Sequence, residues 1–202
     1  MHFPKLSWVH FVTGKITQPF AYPESLPIHL YQTRNYMKIF LIGLSLFFAA
    51  STFAQQDTSI PPFKRYPSVP GLQLLTTDST AYTNDSVPKN KPVMLMLFSP
   101  DCDHCQHEAE QIVANKDSFT DTHIILVSTF PIHRLKEFAE KYRLTSMDNV
   151  VITKDPFYLL VSFYAVRNLP YLALYNKKGK LIETFAGSVG IEKIITALKG
   201  AH

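Results

Sequence analysis

The unbroken apolar run Val93-Met94-Leu95-Met96-Leu97-Phe98 constrains the fold of this chain more than any other segment. It shows no polar alternation, so it predicts a strand buried on both faces, as in a parallel sheet covered by helices on each side. Pro100 ends the run, and a helix is expected from Asp103 to about Lys116. Cys105, Ala109, Ile112 and Val113 share one face of that helix, while Gln106, Glu110 and Gln111 can face water. His107 and Glu108 are expected to be solvated helix residues.

The flanking segments extend the same pattern. Gly71 to Thr76 suits a short first strand, and the stretch from Asp78 to Pro92 is polar and turn-rich. His123 to Ser128 contains a second buried strand, Ile-Ile-Leu-Val. Ile132 to Tyr142 is amphipathic, with Leu135, Phe138, Ala139 and Tyr142 at helical spacing. Val150-Val151-Ile152 is short and extended. Asp155-Pro156 fits an N-cap followed by proline at the first helical position, opening a helix to about Tyr164. Tyr171–Tyr175 and Leu181–Phe185 read as strands joined by Asn176-Lys177-Lys178-Gly179-Lys180, a hairpin signal. Ile191 to Leu198 closes the chain as a helix. Phe98, Phe138, Tyr142, Phe157, Phe163 and Tyr164 are expected as core or edge aromatics. Strands alternating with helices give an α/β class with one antiparallel hairpin at the end.

The N-terminal segment points to export. Met37-Lys38, the apolar run Ile39–Ala50 and the small residues of Ser51-Thr52-Phe53-Ala54 match the three regions of a signal peptide, with a cut expected after Ala54. Twelve apolar residues fall short of the roughly 20 that a membrane-spanning helix needs. Membrane contact is therefore expected only through an uncleaved signal segment. Residues 1–36 carry four prolines and no clear period, and are read as a non-native extension upstream of a start at Met37. Residues 55–70, with Pro61-Pro62, Pro67 and Pro70, read as an extended linker, which leaves 71–202 as the folded domain. Of the net charge of +4, residues 1–54 supply +3, so the body is nearly neutral and offers no electrostatic footprint for nucleic acid.

The chain has two cysteines, three positions apart in Ser99-Pro100-Asp101-Cys102-Asp103-His104-Cys105. A pair so spaced at a helix start can close a tight disulfide and open it again. The first sulfur lies where unsatisfied N–H groups and the helix dipole favour negative charge, and the thiolate is the attacking species. Cys102 is therefore the candidate nucleophile. Cys105, about one turn on and on the inner face, is the candidate resolving group. A protonated His104 would favour the thiolate, whereas Asp101 and Asp103 act the other way, and the balance stays open.

The same residues admit three other uses. Cys102, His104, Cys105 and His107 could form a copper or zinc site, although structural zinc usually requires a second, distant ligand pair. Covalent haem attachment requires histidine directly after the second cysteine, where Gln106 stands. A purely structural disulfide would close too small a loop to restrain much chain. Neither a cofactor nor a resident metal is expected.

These residues resemble a family. The buried strand running into CxxC at a helix start looks like the thioredoxin superfamily. So does Asn168-Leu169-Pro170-Tyr171-Leu172-Ala173-Leu174-Tyr175, followed by Lys178-Gly179-Lys180 and Gly187. The signal segment and the lead-in before Val93 are similar to its TlpA/ResA-like periplasmic thiol–disulfide oxidoreductases. The resemblance covers roughly Gly71 to Lys199. It implies a thioredoxin-like α/β fold, with a central mixed sheet, helices on both faces and a C-terminal β-hairpin plus helix. It also implies an exported, periplasmic enzyme exchanging the Cys102/Cys105 dithiol with protein clients and a redox partner protein. A cis Leu169-Pro170 bond would then face the cysteine pair, with the Leu169 backbone placed to meet a client strand.

The chain departs from the family in three places. Asp101 stands where tryptophan is common, and Met96 where thioredoxins carry a buried aspartate. Asp103-His104 replaces Gly-Pro, and its histidine resembles that of the oxidant DsbA. A peroxidatic cysteine pattern is also partly matched, with Ser99 three residues before Cys102. However, Leu95 stands where that pattern has proline.

Overall fold

In the computed structural model, residues 60–200, together with Lys38, are described. The expectations for residues 1–36, the signal segment 37–54 with its cut after Ala54, and the first part of the linker lie outside them, Lys38 excepted. Among the described residues no helix is long and apolar enough to cross a membrane.

Strand β3 (Val93–Leu97) is buried at every position, as its apolar composition demands. It pairs in parallel with β4 (His123–Ser128), which pairs in parallel with β5 (Val150–Lys154). On its other side β3 pairs antiparallel with β6 (Tyr171–Tyr175), which continues into the antiparallel β7 (Leu181–Ala186). Two short strands, β1 (Gln73–Thr76) and β2 (Ala81–Thr83), extend the sheet beyond β5, giving the order β2-β1-β5-β4-β3-β6-β7.

The side chains of β3 alternate between two cores. Met94 and Met96 point to one face, where they pack with Cys105, Ala109 and Ile112 of α1 (Asp103–Ala114). That core also takes Leu135 and Phe138 of α2 (Ile132–Lys141) and Ile194, Ile195 and Leu198 of α3 (Ile191–Lys199). Val93, Leu95 and Leu97 face the other core, which holds Leu160 of α4 (Leu159–Phe163), with Tyr164, Tyr171 and Tyr175. This is the expected mixed sheet with helices on both faces, closed by a hairpin and a helix.

The hairpin turn is shaped by Asn176 and Gly179. The Asn176 side-chain oxygen accepts from the N–H groups of Lys178 and Lys180, and Gly179 has φ +73°.

The fold departs from the sequence reading at several points. Within the segment read as an extended linker, Pro62–Arg65 forms one helical turn, and Phe63 packs against Tyr164 and Tyr171. The turn-rich stretch after Asp78 contains β2, with Tyr82 buried. The helix expected from Asp155 starts only at Leu159. Asp155 still caps it, because its carboxylate accepts from the N–H of Leu160 at 2.8 Å across an intervening loop. Phe157 is 65% exposed, so it is not a core aromatic; it lies in that loop.

Candidate active site

The loop after β3 carries the cysteines. The Ser99 carbonyl accepts from the Cys102 N–H at 3.2 Å, and the Ser99 hydroxyl accepts from the Asp101 N–H at 3.2 Å. The Gln106 side-chain amide donates to the Pro100 carbonyl at 2.9 Å. These bonds satisfy the backbone that Pro100 takes out of the sheet and fix where α1 begins. Cys102 is the N-cap of α1, with extended φ −96° and ψ 114°, and its carbonyl accepts from the Gln106 N–H at 3.0 Å. The Cys102 sulfur therefore sits at the positive end of a 12-residue helix.

Cys105 lies one turn further, fully buried on the sheet side, while Cys102 is partly exposed; both are free thiols. Burial pushes the Cys105 thiol above its ordinary value. Its hydrogen bond with Cys102 and the charges at Cys102 and Glu108 act in the same direction, against a backbone bond from Ser99. One sulfur is thus partly open to solvent, and the other is buried.

Leu169 and Pro170 come to the same place from 67 residues away. The bond between them is cis, as the resemblance implies, and the Cys102 thiol donates to the Leu169 carbonyl at 3.8 Å. Leu169 also lines a small cleft of about 60 Å³ with Ser99, Phe130 and Asp155. A larger cleft of about 440 Å³, lined by Lys91, His123 and Asn149, opens at the opposite end of the parallel strands and holds neither cysteine.

Asp101, Asp103 and His104 are all exposed around Cys102. His107 is exposed and lies 3.9 Å from Glu110. Among the described residues no group of three or more His, Cys, Asp or Glu side chains could hold a metal ion, so the copper or zinc site considered from the sequence is not formed.

Glu108 was read as solvated, and the structure corrects this: it is 1% exposed on the inner face of α1. The Ser188 hydroxyl donates to its Oε2 at 3.4 Å, and its Oε1 has no hydrogen-bond partner. Burial raises its carboxyl above the ordinary 4.5, opposed by the Ser188 bond. The signal was present in the spacing, since position 108 is three residues after Cys105 and four before Ile112, on the same helical face. Met96 is buried in the same core, where it supplies no ionisable group.

Comparison with known proteins agrees with this fold. The model of the Thioredoxin_2 family, described as a thioredoxin-like domain, matches residues 83–202. No curated protein matches the chain. Among solved structures, dsbF from MTB aligns with TM-score 0.57 at 19% identity, covering 67% of this chain and all of that one. A secreted Mycobacterium tuberculosis disulfide oxidoreductase homologous to E. coli DsbE aligns with TM-score 0.55 at 16% identity, covering 64% of this chain and 96% of that one. The peroxidoxin BcpB from Mycobacterium tuberculosis does so with TM-score 0.57 at 16% identity, covering 67% and 96%. At these identities the likeness is one of fold. With a family model spanning more than half of its length, the chain belongs to the thioredoxin-like family.

Proposed function

We propose that this protein is an exported thiol–disulfide oxidoreductase that exchanges its Cys102/Cys105 dithiol for a disulfide with protein clients. The observation that carries the reading is the asymmetry of the pair: Cys102 caps α1, partly exposed and beside the Leu169 carbonyl, with Cys105 buried behind it.

The chemistry runs in two exchanges. The Cys102 thiolate attacks one sulfur of a client disulfide. A Cys102–client S–S bond forms, the client's own S–S bond breaks, and its second sulfur leaves as a thiolate that takes a proton. Cys105 then gives up its proton and attacks Cys102. The Cys102–Cys105 disulfide forms and the client's remaining thiolate leaves, so the client is reduced by two electrons and the protein is oxidised by two. A redox partner protein reverses the change on the protein.

Glu108 is the group that takes the Cys105 proton in this scheme. It lies one turn after Cys105 on the same buried face of α1, its Oε1 has no hydrogen-bond partner, burial raises its carboxyl, and Met96 offers no alternative base. Leu169 and Pro170 form the opposite wall, where an extended client segment lies against the Leu169 backbone. Asp101, Asp103 and His104 modulate the thiolate.

Export rests on the signal-like segment 37–54 and is consistent with a secreted relative of the same fold. In this reading residues 1–36 precede the true start, and 71–202 are the catalytic domain. N-terminal sequencing of the mature protein is expected to begin at Gln55.

The function is tested by insulin reduction under dithiothreitol. The wild-type chain is expected to accelerate precipitation of the insulin B chain, and Cys102→Ser to abolish the acceleration. Equal activity in Cys102→Ser would overturn the reading.

A further inference from the structure

From sequence, two carboxylates and one imidazole surround Cys102, and the sign of their net effect is open. The structure adds a fourth charge, from 33 residues downstream. Arg134 on α2 donates from Nη2 to the Oδ1 of Asp101, the residue directly before the nucleophile. Its Nε lies 3.6 Å from Oε2 of Glu137, and its guanidinium carbon stands 5.9 Å from the centroid of the Phe130 ring. The guanidinium is held on three sides, at the rim of the site.

We propose that Arg134 is a positioning residue of the redox centre: by pairing with Asp101 it cancels the negative charge beside Cys102 and so favours the Cys102 thiolate. The inference rests on the reading of Cys102 as the attacking sulfur.

The other groups around Cys102 leave this role to Arg134. On α1 these are Asp103 and His104 in the first turn, Cys105 behind them, and Glu108 on the buried face. Among the described residues neither Asp103 nor His104 takes part in an ion pair. On α2, Glu137 shares Arg134 with Asp101, and Lys141, which lines the same cleft, stands over the Tyr142 ring and forms no ion pair with Asp101. Across the site Leu169 is apolar, and Arg167, two residues earlier, is exposed. The pairing of Arg134 with Asp101 is thus the arrangement that neutralises a charge adjacent to the sulfur.

The loop does not depend on Arg134 for its shape. Ser99 and Gln106 already hold it through the bonds to Asp101, Cys102 and Pro100. The ion pair is also partly exposed, where such pairs contribute little to stability. Its effect therefore belongs in the thiol chemistry rather than in the fold.

The test is the pH profile of iodoacetamide alkylation at Cys102, measured on the full chain in a Cys105→Ser background. Arg134→Gln leaves Asp101 uncompensated and should move the midpoint up by about half a pH unit, roughly a threefold loss of thiolate below it. Asp101→Asn should move it down. The double variant should return close to the parent, and all shifts should shrink in 1 M salt. Shifts of the same sign in both single variants would mean a lost strap rather than a lost charge, and would overturn the proposal, as would no shift in either. Neither result bears on insulin reduction by the wild type, so failure of this inference and failure of the parent reading are separable.

Discussion

At the scale of single residues, the pair Cys102 and Cys105 was legible because its chemistry is local: spacing, helix start and preceding strand are all contiguous in sequence. Glu108 and Arg134 were not, for different reasons. Glu108 was assigned by residue type, although its spacing from Cys105 and Ile112 puts it on the apolar face; α3 and the loop carrying Ser188 cover that face, and nothing local to α1 announces them. Arg134 reaches Asp101 across 33 residues, a contact that only the fold creates. A buried carboxyl with one unpartnered oxygen has an energetic signature. Its folded value is raised, so the ionised form costs stability at neutral pH and the cost disappears as pH falls below the ordinary 4.5. Glu108→Gln is therefore expected to raise stability at pH 7.5 by about 1 kcal/mol, with the two proteins converging near pH 4. Denaturant midpoints across that range check it, and a pH-independent difference would contradict it. The same variant should also slow resolution of the mixed disulfide, on the order of 10²-fold, because a positioned proton acceptor is lost. Quenched-flow trapping of the Cys102–client adduct reads that step.

At the scale of elements, the long periodic segments were read within a residue or two, since burial sets their pattern directly. β2 escaped because three residues carry too little period, and it is specified by tertiary bonds instead. The Asn84 side chain accepts from the Leu72 N–H at 2.8 Å and donates to the Pro70 carbonyl at 2.8 Å, tying the end of the β1–β2 hairpin to its entry. Asn84→Ala leaves both backbone groups without that partner and should cost about 1–2 kcal/mol. A fall in the urea midpoint at unchanged slope, with faster amide exchange in β1, is the expected result. An unchanged midpoint would mean that the hairpin is held by its apolar residues Leu74 and Tyr82 alone. The start of α4 moved for a similar reason: the buried Asp155 carboxylate accepts from the Phe157 N–H at 3.3 Å and from the Leu160 N–H at 2.8 Å, and so bridges the loop that precedes the helix.

At the scale of the whole molecule, one sheet divides two cores, and the alternation of Met94 and Met96 against Val93, Leu95 and Leu97 assigns each side chain to its core. An all-apolar strand announces double burial but not which helix covers which face; the handedness of the β–α–β crossovers decides that. The first residue of β4, His123, is half-buried, and its Nε2 lies 2.7 Å from the Tyr82 hydroxyl. Burial, reinforced by Lys91, holds the imidazole below its ordinary 6.5. Its contribution to stability is complete above pH 6.5 and is lost as pH falls through the lowered folded value. His123→Gln should thus flatten the acid side of the stability profile below pH 6.5, and an acid slope identical to wild type would contradict this. The thiol chemistry converges on one measurement, redox titration of the reduced full chain in dithiothreitol and glutathione buffers, with the Cys102–Cys105 disulfide quantified by peptide mass spectrometry. Reversible two-electron exchange predicts a single transition with a slope of about 30 mV per tenfold change in ratio. Absence of a Cys102–Cys105 disulfide at every poise would contradict it.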